Sequence, residues 1–250
     1  VEASVHQGLL MGWLALSVPI CILLFFISAP YGRHFRGGWG LSVSSMTGWL
    51  LMELPAATVF PVCLLSGGWP GPVELVFLLL WQTHYVNRAI VYPLRQRSNK
   101  RVSLVIVSFG VIFNVMNGYL NGRHLGVFSS GYDVSWLWDP RFVTGAVIFA
   151  TGFVINVHSD EILLRMRRRK PGEYSIPRGG MFEVVSCPNY LGEILEWTGW
   201  AIATWSLPGL AFALWTAANL IPRAHTNHAW YRKTYPDYPG RRKALIPFIY

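Results

Sequence analysis

Glu53 stands in the run GWLLMELPAATVF with no other charged residue for many positions on either side. Inside a bilayer an ionisable group costs on the order of 3 kcal/mol on insertion scales, and such groups usually mark function. A plain alternative is one protonated carboxyl linking two helices by a hydrogen bond. The chemical reading starts from the same proton: a carboxyl that keeps it can donate a hydrogen bond, which suits the polarisation of a ligand carbonyl.

Two further groups carry chemistry. In CPNYLGEILEWTGW, Asn189, Glu193 and Glu196 are spaced i, i+4, i+7 and share one helix face. That segment holds no base of its own, so the acids need partners from the arginine-rich loops or from Arg223. Ligand contact is the favoured reading for Asn189 and Glu193. For Glu196 a structural ion-pair network and ligand contact stand level. In NVHSDEILLRMRRRKPGEYSIPRGG, Asn156 and Asp160 are again i, i+4, followed by a basic run, Tyr174 and the pair Gly179–Gly180. Orientation in the membrane and attraction to anionic lipid would need only two or three positive charges. Arg165, Arg167, Arg168, Arg169, Lys170 and Arg178 in one short loop point further, to an anionic ligand such as a nucleotide, which arginine can grip in bidentate fashion.

Other chemistries lack their signatures. The sequence has no G-x-G-x-x-G after a strand, no Walker A loop and no G-x-S-x-G. The seven histidines offer only His225-x-x-His228, too little for a metal centre, and Cys21, Cys63 and Cys187 form no close pair. No metal is expected, and the cysteines read as small packing residues. The net charge of +9 gives no support for nucleic-acid binding, because topology accounts for it.

The elements that must position these residues are membrane helices. The chain is 52% hydrophobic and 13% charged, against about 25% charged in soluble domains. Twelve Trp suit anchoring at membrane interfaces. A span needs about 20 apolar residues. Gly8–Ala29, Val43–Leu65, Pro72–Tyr92, Val102–Leu120 and Arg141–His158 qualify. The first run is too long for a signal-peptide core and is read as the first span. The apolar stretch Tyr190–Ile221 exceeds one span and is broken at TWSLPG, so two helices joined at Trp205–Pro208 are expected. Lys and Arg collect on the cytoplasmic side. Arg33 and Arg36, then Arg95, Arg97, Lys100 and Arg101, then the six of the 165–178 loop, then Arg223, Arg232, Lys233, Arg241, Arg242 and Lys243 make 18 of the 21 basic residues. They share one face only if the spans number seven. The expectation is an all-α polytopic membrane protein of seven transmembrane helices, N-terminus outside and C-terminus cytoplasmic. Residues 1–250 would form one integral domain, whose part from about 156 carries most of a cofactor site.

With these residues on the page, a family likeness follows. HSDEILLRMRRRKPGEYSIPRGGMFEVVSCPNYLGEILEWTGWAIATWSLPGLAF and the ending RRKALIPFIY resemble the steroid 5α-reductase family, as do LMELPA, THYVNRAIVYP and NGYLNG in the same order. The likeness is expected to be nearest to its type 2 branch. It implies a seven-helix enzyme that reduces the Δ4 bond of a 3-oxo-Δ4-steroid with NADPH, the steroid entering from the membrane. It implies further that Glu53 and Tyr85 hydrogen-bond the 3-keto oxygen. Asn156, Asp160, Arg169, Tyr174, Asn189, Glu193, Arg223 and Tyr231 would line the cofactor site, with Arg88, Arg97 and His228 as weaker members. Three departures stand out: Met52 in place of a polar neighbour to the acid, a shortened GEYSIP loop, and Asn227 where a nucleotide-contacting histidine is usual. A monomer in a bacterial inner membrane or an endoplasmic reticulum membrane is expected. The rivals are another membrane sterol or enoyl reductase, an isoprenylcysteine-type methyltransferase, and a non-catalytic lipid binder or transporter.

Overall fold

A computed structural model describes residues 1–27, 30, 32–34, 38–96, 100–169 and 173–250. In chain order the main elements are α1 (Glu2–Phe26), β1 (Ser42–Ser44), α2 (Ser45–Leu65), α3 (Pro72–Val86), a π turn (Asn87–Val91), α4 (Tyr92–Arg95), β2 (Arg101–Ser103), α5 (Leu104–Arg123), a second π turn (His124–Phe128), α6 (Pro140–Arg169), α7 (Pro188–Thr204) and α8 (Leu207–Thr234). Among the described residues, four helices are long and apolar enough to cross a membrane: α1, α2, α5 with its π extension, and α6. Contacts divide the chain into two compact units. The first holds Val1–Met11, Ala29–Val143 and Ser206–Pro208; the second holds Gly12–Ser28, Thr144–Trp205 and Gly209–Tyr250.

In the first unit α2 and α5 pack closely because α5 and the π turn that extends it offer glycines to the backbone of α2. A Cβ on Gly122 would lie 2.5 Å from the carbonyl oxygen of Phe60, and one on Gly126 would lie 2.2 Å from that of Leu64. Without hydrophobic pressure between helices in lipid, such close backbone approach is a main source of association. α3 is fastened to α2 by Trp81, whose Nε1 donates to Ala56 O at 2.9 Å while its ring stacks on Phe60 at 4.2 Å. Gln82 Nε2 adds a bond to Ala57 O at 3.1 Å.

The second unit rests on a two-point crossing of α6 and α7. A Cβ on Gly152 would stand 2.5 Å from Gly192 O, and one on Gly145 would stand 2.6 Å from Gly199 O. Positions rising along α6 meet positions falling along α7, so the helices are antiparallel, and a seven-residue step on each side sets the register.

Several expectations are altered. Val43 and Val102, read as the starts of spans, instead pair in a short antiparallel ladder, Val43 opposite Val102. The serine that follows each one turns the chain into a helix: Ser44 accepts from Thr47 N and Ser103 from Val105 N, as N-caps do. α6 runs past His158 to Arg169, helped by good helix formers, by the Arg165–Glu161 pair at 2.7 Å and by arginines in the last turn. α8 likewise continues through Pro222, carrying Arg223, Asn227, His228 and Tyr231 on one helix. The break between α7 and α8 falls where expected: Trp205 adopts a left-handed conformation (φ 46°) and Pro208 lies in the first turn of α8.

Gly192→Val should destabilise the protein by about 1–3 kcal/mol, the usual penalty of overpacking, because its branches must displace α6 backbone. Gly12→Ala, in open space on α1, should change the melting temperature little. Thermal unfolding in detergent checks both.

Candidate active site

Glu53, isolated along the chain, is not isolated in space. It sits half-buried on α2, two residues before Pro55, which has no N–H to give the helix. The π turn after α3 brings Arg88 alongside, with Nε 3.6 Å from Glu53 Oε1. The guanidinium also lies over Trp49 at 4.5 Å and over Tyr92 at 5.3 Å. A single wide turn inserted in a helix often re-aims one side chain at a functional site; Pro93 just beyond removes the donor that an unbroken α-helix would need there. Tyr85 is one turn past Trp81, the ring that fixes α3 to α2, and its hydroxyl donates to Asn114 Oδ1 at 3.3 Å. Asn114, buried on α5, donates from Nδ2 to Met52 O at 2.7 Å and to Glu53 Oε2 at 3.2 Å. An acid, a phenol, an amide and a guanidinium thus meet in one patch of the first unit.

The second unit gathers another set. The α6–α7 register brings Asn156, Asp160 and Asn189 together: Asn156 Nδ2 donates to Asn189 O at 2.9 Å, and Asn189 Nδ2 donates to Asp160 Oδ1 at 3.1 Å. Glu193 is half-buried one turn further along α7. Glu196 is fully buried where Gly152 approaches its backbone. Tyr190 joins α7 to α8, its hydroxyl accepting from Arg223 Nε at 3.0 Å and from Asn227 Nδ2 at 3.3 Å. Tyr174 lies edge-on to Trp230 at 5.4 Å, and its carbonyl accepts from the Tyr235 hydroxyl. Tyr231 stacks on Tyr238 at 5.3 Å. His228 Nδ1 is 2.6 Å from Ser186 Oγ, which also meets Tyr238 OH at 2.7 Å.

The loop before α7 is held from the tail. Gly179 and Gly180 turn it with positive φ (91° and 54°), and a Cβ on Gly180 would strike His158 at 2.6 Å. Arg242, 1% exposed, donates to Pro177 O at 2.9 Å and lies 3.5 Å from Glu183 Oε2. The Gly179 N–H, donating at 2.7 Å, holds the Glu183 carboxyl below the usual carboxylate range, with Arg242 and Arg178 acting in the same direction.

The expected residues therefore fall into two sets. Glu53 and Tyr85 converge with Arg88, which had been grouped with the cofactor residues. Asn156, Asp160, Asn189, Arg223, Tyr174, Tyr231 and His228 lie in the second unit. Arg169 is exposed at the end of α6, and Arg97 lies outside the described residues. Asn114, Tyr190 and Ser186 went unnoticed in the sequence, and Arg242 was read only as one of the basic tail residues. Asn114 had a visible signal: with Asn117 and Asn121 it forms a buried amide face along an otherwise apolar helix.

This arrangement defines a helical membrane protein with an acid and a phenol joined through one amide in its first unit and a polar set in its second. Residues 100–250 match the family described as 3-oxo-5-alpha-steroid 4-dehydrogenase. The chain is 42% identical over 243 residues to steroid 5-alpha-reductase DET2 of Gossypium hirsutum, covering 94% of this chain and 93% of the relative. It is 39% identical over 246 residues to 3-oxo-5-alpha-steroid 4-dehydrogenase 1 of Bos taurus, covering 94% and 93%, and 39% identical over 228 residues to the Homo sapiens enzyme of the same description, covering 89% and 87%. The chain belongs to the steroid 5-alpha-reductase family of oxidoreductases. These relatives are a plant enzyme and mammalian type 1 enzymes, and the expected nearness to type 2 rests on none of them.

Because its folded-state carboxyl ionises more readily than in the unfolded chain, Glu183 stabilises the fold above its ordinary value of 4.5 and loses that contribution as the pH falls through the lowered folded value. The gap in melting temperature between the native protein and Glu183→Gln should be full at pH 6 and close on acidification below about pH 4.

Proposed function

We propose that this protein reduces the Δ4 double bond of 3-oxo-Δ4-steroids with NADPH, giving 5α-3-oxosteroids. Family membership supports the reaction class. The observation that carries the reading furthest is the convergence of Glu53 and Tyr85, from different helices, through one shared amide. Saturating an enone in this way moves negative charge onto the carbonyl oxygen, so donors aimed there stabilise the transition state more than the ground state. The Tyr85 hydroxyl and a protonated Glu53 are such donors, and Trp81, packed against Tyr85 at 5.1 Å, restricts where the phenol can point.

The second unit suits the cofactor by its donor set. Asn156, Asp160 and Asn189 offer amide and carboxylate groups for a carboxamide or ribose hydroxyls, and Arg223 offers a fork for phosphate. Glu193, Tyr174, Tyr231 and His228 complete the proposed lining, with Arg169 and Arg97 as outlying cations. Bound NADPH supplies the hydride; the residues named here bind and orient it. The proposed setting is a seven-span monomer, with the α3–π–α4 rod, α7 and α8 added to the four apolar spans. The N-terminus would lie outside and the basic tail in the cytoplasm, in a bacterial inner membrane or the endoplasmic reticulum. The steroid enters from the lipid.

Detergent-purified protein incubated with NADPH and progesterone should yield the 5α-reduced product by chromatography and mass. Glu53→Ala should lower turnover by about 10²–10³-fold, the usual cost of removing one donor from a developing oxyanion, with NADPH affinity kept. Asn189→Ala should instead weaken NADPH about tenfold, the loss of one or two hydrogen bonds. Tight NADPH binding without product would move the search to other membrane enones, and stabilisation by S-adenosylmethionine alone would favour a methyltransferase.

A further inference from the structure

Asn114 is 4% exposed in the middle of α5, where an amide needs a reason. Its three hydrogen bonds run to Met52 O, Glu53 Oε2 and the Tyr85 hydroxyl. One of these partners decides the others. A backbone carbonyl can only accept, so the amide atom 2.7 Å from Met52 O has to be Nδ2. Its second hydrogen then meets Glu53 Oε2, which accepts. Oδ1 is left facing Tyr85, and an amide oxygen cannot donate, so the phenol must donate to it. A group that neither rotates nor titrates thus fixes the Tyr85 hydroxyl as a donor and Glu53 Oε2 as an acceptor. Helix packing holds that group in place: Gly110, one turn before Asn114, has no room for a Cβ against the Met52 side chain, which would stand 2.6 Å away.

The directions have a chemical consequence. Oε2 accepts from Asn114 and Oε1 faces the Arg88 guanidinium, which can only donate, so both oxygens of Glu53 are turned toward donor groups. The Tyr85 proton is kept as a donor by a long 3.3 Å bond, which a carbonyl oxygen gaining negative charge outcompetes. We propose that Asn114 is a positioning residue for the reduction: by accepting from Tyr85 and donating to Glu53 it sets the polarity of the pair, so that the Tyr85 hydroxyl meets the substrate carbonyl as a donor. This rests on the reaction proposed above. It also accounts for the tolerance of Met52 beside the acid, since Asn114 uses that residue's backbone and not its side chain.

Two readouts test it. One is the split between kcat and steroid KM. The other is the carbonyl stretch of progesterone labelled with carbon-13 at C3, bound without NADPH, which reports hydrogen bonding to that oxygen and needs no turnover. Asn114→Leu, similar in size but unable to hydrogen-bond, should lower kcat by 10- to 100-fold with KM changed less than threefold. It should also raise the bound band toward its position in a non-hydrogen-bonding solvent. Asn114→Ser, whose hydroxyl both donates and accepts, should recover much of both. Asn121→Ala, on the same helix but bonded to Pro208 O, should leave the band in place. A merely structural role would lower folded yield and melting temperature without moving the band. An unmoved band, or unchanged kcat, in Asn114→Leu overturns the inference and leaves the reduction standing. A displaced band in the native protein that Asn114→Leu restores, without product from either, overturns the reduction and keeps the role of Asn114. No steroid binding by the native protein overturns both.

Discussion

Helices can approach until their backbones touch only where neither presents a side chain, and both units of this protein depend on such contacts. In the second, Gly145 and Gly152 on α6 meet Gly199 and Gly192 on α7, and the equal seven-residue spacing leaves one register. That register decides that Asn156 reaches the carbonyl of Asn189 and that Asn189 reaches Asp160. A shift of a single turn would separate the three groups by about 5.4 Å. The polar set is a consequence of where side chains are missing, the nearest of those positions about one turn away along each helix.

The first unit obeys the same rule with different partners. Gly118 and Gly122 of α5, with Gly126 of the π turn that follows, let this segment settle on α2, which carries Asn114 up to Met52 and Glu53. Trp81 performs the matching task for α3 with a hydrogen bond and a stacked ring instead of a missing side chain. Tyr85 is then delivered from one neighbour of α2 and Asn114 from the other. Neither residue is close to Glu53 in sequence, and the unit gains its chemistry from the packing order of three helices.

Much of this was legible in the sequence because hydropathy and charge act along the chain. The apolar runs of α1, α2, α5 and α6 were visible as such, and so was the break at Trp205–Pro208, where a proline in the first turn of α8 follows a left-handed residue. The i, i+4 pairing of Asn156 with Asp160 and the face shared by Asn189 and Glu193 follow from helix period alone. What the chain hid was tertiary. Glu53 looked chargeless in its surroundings because Arg88 arrives from another helix through a π turn that no propensity announces. Tyr190, Ser186 and Arg242 read as ordinary residues until α8 and the tail were in place around them. The serines at 44 and 103 start the helices two residues later than the apolar runs do, because a cap works through one hydroxyl, which a hydropathy window averages away.

The stitching of the loop before α7 to the tail bears on how the protein is made. Ser186 N donates to Lys243 O, Cys187 N to Ala244 O, and Lys243 N to Val184 O. Arg242, buried against Pro177, completes the seam. These partners are far apart in sequence, and contacts of that kind close late in folding. During synthesis, α6 and α7 can find each other as soon as both have left the ribosome, while the 177–187 segment must wait, its backbone donors served by water, until residues 242–244 have followed. The loop before α7 is therefore closed after the α6–α7 contact that builds the polar set, and a chain clipped before Arg242 would lack the strap that holds this loop.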